Sequence, residues 1–320
     1  MLTLRGTDYG NVFCAPGALG FFGEGYPYHK YMKPLGMTWR GTGFVSKTIV
    51  LNERAGNMPF RANKLTPKER LVPRSIVVKP FSGHVLNAVG LSGPGTKWAL
   101  NHGSWQLRDD AFMISFMSVA ATTIERLVET RAYVDQLKPC LPAFRGKPAI
   151  QFNRACPNTG HLPSEFYDET FEALDILAEL GIPIVVNFNP TVPGEVMQAT
   201  ANHEACDALW IANTIPWGDP RIDWPKLFGS SNSPLTARNL PVPGGGGLSG
   251  PACLPHTVER VLEARRLGVT KPIVAGNGIQ SVSDVAYVRE AGANAVAIGT
   301  VGMVRPWRMR SIIKAGNSYK

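Results

Sequence analysis

Hydrophobic positions in the second half of the chain fall into two alternating patterns. Short runs at 148–153, 183–187, 208–212, 272–275 and 295–298 are largely apolar and predict strands buried on both faces, as in a parallel sheet. Between them, apolar residues recur every three or four positions, which predicts helices over 165–180, 255–267 and 282–291. The first half is less regular. It offers strands at 11–15, 43–47 and 111–118 and a helix at 124–137, bringing the strands to eight. Eight strands alternating with helices predict an α/β fold, the (β/α)8 TIM barrel, with its ligand site at the C-terminal ends of the strands. An open doubly wound sheet is the rival. It usually begins with a G-x-G-x-x-G turn, which Gly17-Ala18-Leu19-Gly20 matches poorly.

Two stretches exceed ordinary loop length. One, 52–87, is rich in Lys, Arg and Pro and holds a candidate hairpin at 75–79; the other, 213–250, carries Trp217, Trp224, many prolines and the run Gly244 to Gly247. Each follows a barrel strand, so both are expected as long loops over the active-site face. No internal repeat or linker divides the chain, which reads as a single domain, 1–320.

Composition narrows the class. Of 320 residues, 44% are hydrophobic and 18% charged, enough for a large core without disulfides. The net charge of +9 would suit nucleic acid, but the basic residues are scattered, and the densest patch, Arg305 to Arg310, falls on an apparent helix. An acidic substrate or a cofactor phosphate is a better use of that charge. The cysteines are Cys14, Cys140, Cys156, Cys206 and Cys253, an odd set without metal-ligand spacing, so no metal is expected. The first ten residues hold no signal-like apolar core, and no stretch approaches the ~20 apolar residues of a membrane span. The expectation is a reduced, cytoplasmic protein acting on a small molecule, with neither a membrane nor a nucleic-acid partner.

The strongest chemical signal is Gly244-Gly-Gly-Gly-Leu-Ser-Gly-Pro-Ala252 ahead of the helix at 255–267. Glycines admit an anion close to the backbone, and a helix N-terminus presents free N–H groups. Small-residue turns recur at Ala275-Gly-Asn-Gly278 and Gly299-Thr300, after the last two strands, where barrels commonly bind phosphate. A second signal is Asn153-Arg-Ala-Cys156-Pro-Asn158 at a strand end. A lone cysteine is more often a small buried hydrophobe, but flanking amides at the rim favour a functional thiol. Asn87, Asn187 and Asn213-Thr214 supply further amides, as a ring for a planar, oxygen-rich ligand requires.

With these residues in view, the chain resembles the dihydroorotate dehydrogenases, and within them the soluble class with a cysteine base. The matching motifs run from Cys14 to Thr300: Ser46-Lys47-Thr48, Arg54-x-Gly56-Asn57-x-Pro59, Asn87-x-x-Gly90-Leu91, Asn153-x-x-Cys156-Pro157-Asn158, Asn213-Thr214-Ile215, Gly246-Gly-Leu-Ser-Gly250, Asn277-Gly278 and Gly299-Thr300. The resemblance implies FMN across the barrel mouth. Ser249, Gly250, Asn277, Gly278, Gly299 and Thr300 would hold its phosphate, Ala15 and Gly17 would lie along the flavin, and Lys47 would stand beside the ring. Asn87, Asn153, Asn158, Asn213 and Thr214 would grip dihydroorotate while Cys156 removes a proton and the flavin takes a hydride. A homodimer is implied, with an electron-transfer partner subunit among the candidate acceptors. An FMN oxidoreductase for another reduced pyrimidine or cyclic amide, and a flavin-binding protein without turnover, are the alternatives.

Three departures accompany the resemblance. Asn187 stands where the family usually has a second lysine near the flavin, Pro16 where a serine is common, and Arg154 where the residue is usually apolar. Strand alternation puts Arg154 opposite Asn153, away from the ligand and paired with an acid. No N-terminal helical extension of the membrane-bound kind precedes the barrel.

Overall fold

All eight strands form and pair in parallel. In the computed structural model, which describes residues 1–69, 71, 73–154, 169–242 and 244–319, they are β1 (Val12–Cys14), β2 (Phe44–Val45), β3 (Ala111–Phe116), β4 (Lys147–Asn153), β5 (Ile184–Phe188), β6 (Ala208–Ile211), β7 (Ile273–Ala275) and β8 (Ala295–Ile298). Each lies beside its sequence neighbour, from β2 through β8, and β8 pairs with β1. A bridge between Phe13 and Gly43 joins β1 to the start of β2 and closes the ring. The strands are largely apolar because both faces are covered, by the barrel interior and by the helix layer.

Helices pack outside: α1 (Thr96–His102), α2 (Thr123–Leu137), α3 (Thr170–Ala178), α4 (Gly194–Asn202), α5 (Leu254–Arg266), α6 (Val282–Glu290) and α7 (Met309–Ser318). Their starts are coded locally. Thr122 and Glu125 form a reciprocal capping box on α2, and Ser281 caps α6. The helix expected over 165–180 is described only from Thr170; its earlier part lies outside the described residues. The unforeseen α1 is short and bounded by Gly95 and Gly103, both at positive φ. In α4 the buried face includes Gly194 and Thr200 beside Met197 and Ala201, which blurs the apolar period.

The two long loops make a cap rather than unstructured crossings. The stretch at 75–79 is one strand, Ile76–Lys79, of a hairpin whose other strand is His84–Asn87, because the chain reverses through Pro80 to Gly83. His84–Asn87 then pairs with Gly247–Ser249, which pairs with Ile215–Pro216. This four-stranded sheet joins the insertion after β2 to the insertion after β6. Asn57 strengthens the joint: its Nδ2 donates to the carbonyls of Ala88 (2.7 Å) and Val242 (2.9 Å), and its Oδ1 accepts from the Val242 amide (2.7 Å). At the other end of the barrel, the hairpin Thr3–Leu4 and Thr7–Asp8 spans the strand starts, with Arg5 paired to Asp207 just before β6 and the Tyr9 hydroxyl donating to the Pro148 carbonyl.

Asn57→Ala would strand two carbonyls and one amide inside the joint. We expect it to lower unfolding stability by about 2–4 kcal/mol in urea denaturation; a loss below about 0.5 kcal/mol would show that the two insertions are held together by other contacts.

Candidate active site

The C-terminal strand ends and the cap enclose a cavity of about 490 Å³, within the range of small-molecule sites. Ala15, Gly17, Lys47, Asn87, Asn153, Asn187, Asn213, Thr214, Ser249, Asn277, Gly278, Gly299 and Thr300, all singled out in the sequence, line it together. Gly250 is not on the wall; its amide donates to Asn277 Oδ1 (3.3 Å) and so shapes the turn behind it. Cys156 and Asn158 lie outside the described residues.

The rim amides are not independent. Asn153 Nδ2 donates to Thr48 Oγ1 (3.2 Å), which is hydrogen-bonded to Ser115 Oγ (2.8 Å). Asn153 Oδ1 accepts from Asn213 Nδ2 (2.8 Å), Asn213 Oδ1 accepts from the Thr214 amide (2.8 Å), and the Asn213 carbonyl accepts from Asn277 Nδ2 (2.9 Å). One hydrogen-bonded chain therefore runs from the end of β2 across the mouth to the glycine turn. Asn187 is level with Asn153 in the parallel register and 2% exposed, and its Oδ1 has no partner among the described residues. A buried amide oxygen without a partner, facing a cavity, is an acceptor awaiting a donor.

The anion side of the cavity is built from backbone. Ser249 ends the cap strand Gly247–Ser249, and a 3₁₀ turn, Pro251–Cys253, leads straight into α5. Gly278, at φ +120°, sits so close that a Cβ would lie 2.7 Å from the Leu254 amide nitrogen, and at Gly250, φ +132°, 2.6 Å from the Gly83 carbonyl oxygen. Thr300 Oγ1 donates to Ser249 Oγ (2.8 Å), joining the turn after β8 to the same cradle. At Gly250 and Gly278 a side chain would have no room, and a wall of small residues of this kind suits the close approach of a phosphate. His84 holds the cradle to the cap: its Nε2 accepts from the Ala252 amide (3.1 Å), and its Nδ1 lies 3.0 Å from Ser82 Oγ.

Charge is sparse. Among the described wall residues Lys47 is the basic side chain and Glu69 the acidic one. Lys47 is 6% exposed, with its Nζ 5.4 Å from the centre of the Phe21 ring. Arg154 lies where alternation put it, behind the rim, paired at 2.7 Å with Glu169. Cys14, Cys206 and Cys253 are buried fillers whose thiols are pushed up by burial, to about 12 for Cys14 and Cys206. Thr48 and Ser115 belong to the rim network but were not among the expected site residues, although Thr48 sits in the quoted Ser-Lys-Thr motif. Tyr26, Tyr28 and Met303 line the wall without any sequence signal that separates them from core residues.

Comparison with known proteins places the chain in a family. Residues 2–316 match the family model described as dihydroorotate dehydrogenase. The catalytic subunit of dihydroorotate dehydrogenase B (NAD(+)) from Anoxybacillus flavithermus is 31% identical over 307 residues, covering 92% of this chain and 83% of that protein. The Staphylococcus carnosus protein of the same name is 30% identical over 233 residues, covering 72% and 70%. The fold is also similar, with a TM-score of 0.69 at 17% identity, to a crystal structure of the Eimeria tenella dihydroorotate dehydrogenase bound to ferulenol, over 98% of this chain and 82% of that one.

Two outcomes follow from the cradle. Gly278→Ala should weaken binding of the phosphate-bearing cofactor at least tenfold in a fluorescence titration, since neither φ nor the Leu254 backbone can yield cheaply; unchanged affinity would place the phosphate elsewhere. Burial, and secondarily the Arg305 charge, hold His84 below its usual 6.5. Folded protein keeps it neutral while unfolded chain takes up a proton near 6.5. That stabilisation is present above pH 6.5 and is lost as pH falls toward the depressed folded value. His29, lowered to about 4 chiefly by burial, has the same sign. The fall in melting temperature between pH 7 and 5 should shrink in His84→Gln, with the His29 share remaining; an unaltered slope would separate His84 from acid sensitivity.

Proposed function

Because the chain belongs to the dihydroorotate dehydrogenase family, FMN-dependent dehydrogenases acting on a CH–CH group, we propose that it oxidises dihydroorotate to orotate with Cys156 as the general base. The observation that carries this reading is the juxtaposition of a glycine-built anion cradle with a hydrogen-bonded ring of amides around one cavity. The glycine cradle fits a phosphate ester, and the unpartnered Asn187 Oδ1 fits a ring N–H.

FMN, when bound, supplies the hydride acceptor. Ser249, Asn277, Gly278, Gly299 and Thr300 would hold its phosphate, with Gly250 shaping the turn behind them, and Ala15, Gly17, Asn153 and Asn187 would flank the ring. Asn87, Asn153, Asn158, Asn213 and Thr214 orient the substrate by its amide and carboxylate edges. The Asn153–Asn213 bond fixes which atom each amide offers: the Asn153 oxygen is engaged by Asn213, and the Asn213 oxygen by the Thr214 amide. Lys47, buried in the wall, would stand beside the ring and would offset the negative charge that reduction of FMN supplies. Cys156 takes the proton from the carbon next to the one that loses hydride. A thiol has a reference pKa of about 8.5, so flavin reduction should accelerate toward alkaline pH. The relatives' name, catalytic subunit of an NAD(+)-type enzyme, favours a partner subunit as the route by which electrons leave; a homodimeric core belongs to the same proposal.

Denatured protein should release FMN, and anaerobic dihydroorotate should bleach the flavin band; release of another flavin, or no bleaching, overturns the reading. Cys156→Ala should retain FMN yet slow that bleaching by about 10²- to 10⁴-fold, and Cys156→Ser should recover part of the rate. Wild-type speed in Cys156→Ala would make the residue a packing group. In spectroelectrochemical titration, Lys47→Ala should lower the flavin midpoint potential, Asn187→Lys should raise it, and Arg154→Ala should leave it nearly unmoved. A large shift from Arg154→Ala with none from Lys47→Ala would reverse the electrostatic assignment.

A further inference from the structure

Behind the rim, on the face of β4 opposite the cavity, three charged side chains are buried together. Arg154 Nη1 pairs with Glu169 Oε1 at 2.7 Å, and Arg126 Nε pairs with Glu169 Oε2 at 2.7 Å. The three are 1%, 1% and 3% exposed in the order Arg154, Glu169, Arg126. Each guanidinium makes further bonds. Arg154 Nε donates to Thr170 Oγ1 (3.1 Å), and the group lies 5.0 Å from the centre of the Phe152 ring. Arg126 Nη1 donates to the carbonyls of Ala120 (3.2 Å) and Ala121 (2.9 Å), and its Nη2 to Thr123 Oγ1 (3.1 Å). Four places are joined at one carboxylate: the loop after β3, the start of α2, the end of β4 and the start of α3.

Such a node is a poor source of net stability. Desolvating an ion pair in a protein interior commonly cancels its attraction, and apolar side chains of similar volume do as well or better. What the arrangement does supply is fixed geometry. A planar guanidinium engaged by a carboxylate, a hydroxyl and an aromatic face has few alternative poses. The two residues it ties, Arg154 and Glu169, bracket residues 155–168, which carry Cys156 two positions beyond Arg154.

We propose that the Arg126–Glu169–Arg154 triad is a positioning device. It fixes the two chain ends between which Cys156 is carried, and so sets the efficiency of proton removal without contributing to FMN binding or to the flavin's potential. The inference rests on the reading of Cys156 as base. Arg154 is not among the residues lining the described cavity; Asn153, its neighbour on the strand, takes that face.

Arg154→Met tests this with little risk to the fold, since Arg126 still neutralises Glu169 and the thioether replaces much of the lost volume. Three quantities are measured on FMN-loaded protein. The rate of flavin reduction at saturating dihydroorotate should fall at least tenfold. The FMN dissociation constant and the midpoint potential should stay within twofold and within the error of titration. Cys156 should be alkylated by iodoacetamide at least threefold faster, read by peptide mass spectrometry with Cys140 as the internal standard. Arg154→Lys, which keeps the charge on Glu169 but not the fork, should give intermediate values for reduction and alkylation. Reduction and alkylation both at wild-type rates in folded Arg154→Met overturn the proposal, as does a shift in potential large enough to account for the slower reduction. If wild-type protein is not reduced by dihydroorotate, the substrate reading fails, and the alkylation rate alone still decides whether the triad positions Cys156. Should Arg154→Met lose its flavin, Arg154→Lys carries the same two comparisons.

Discussion

The seam between β1 and β2 is the constraint on which the site depends. Seven of the eight strand junctions are ladders in the sheet order, but this one consists of a bridge at Phe13 and Gly43 with two backbone bonds, Gly43 N–H to the Val12 carbonyl (2.7 Å) and Cys14 N–H to the Gly43 carbonyl (3.1 Å). The approach is possible because residue 43 has no side chain: a Cβ there would lie 2.8 Å from the Phe13 ring and 2.8 Å from the Tyr9 carbonyl oxygen. Closing the ring at this point turns eight strand ends into one circle. It brings Ala15 and Gly17 from the first strand, Lys47 from the second and Gly299 from the last to the same wall. An open sheet would leave these groups at opposite edges.

Within that circle, polar groups are graded by depth. The described cavity wall is mostly apolar; its polar groups are chiefly neutral amides and hydroxyls, with Lys47 as a buried cation among them. The denser charge stands one layer behind, where Glu169 collects two arginines. Neutral hydrogen-bonding groups recognise a polar ring at a smaller desolvation cost than charges would. A single cation in a dry wall acts more strongly on developing negative charge than it would in water. Arg126 and Arg154 are held by Glu169 away from the mouth.

The sequence carried the barrel and much of the rim for a physical reason. Parallel strands covered on both faces read as apolar runs, and a polar residue ending such a run, as at Asn153 or Asn187, must be at the edge of the buried layer. The cap was not legible in the same way. Gly247–Ser249 is a strand only because Asn87, Leu86 and Val85 lie beside it, 160 residues earlier in the chain at the Gly247 end, and nothing in a glycine-rich run announces a distant partner. The Asn277 turn was visible as a small-residue segment, but its φ of +64° and its bonds to the Asn213 and Leu248 carbonyls are properties of the assembled site. Arg154 was legible as a residue facing away from the ligand, since alternation requires it. Its partner was not, because Glu169 is fifteen positions away and on another element.

The strand Gly247–Ser249 belongs to two structures at once. On one edge it is the inner strand of the cap; at its C-terminal end Ser249 is part of the proposed phosphate cradle, and the next turn opens α5. The cap and the cofactor anchor therefore form a single lever. Lifting the hairpin Ile76–Lys79 and His84–Asn87 as a unit would unzip its ladder to this strand and release the His84 bond to Ala252, disturbing the anchor with it. Small-molecule traffic through the mouth can spare the anchor only if it uses parts of the wall outside that ladder, so that entry and exit are decoupled mechanically from retention of the cofactor.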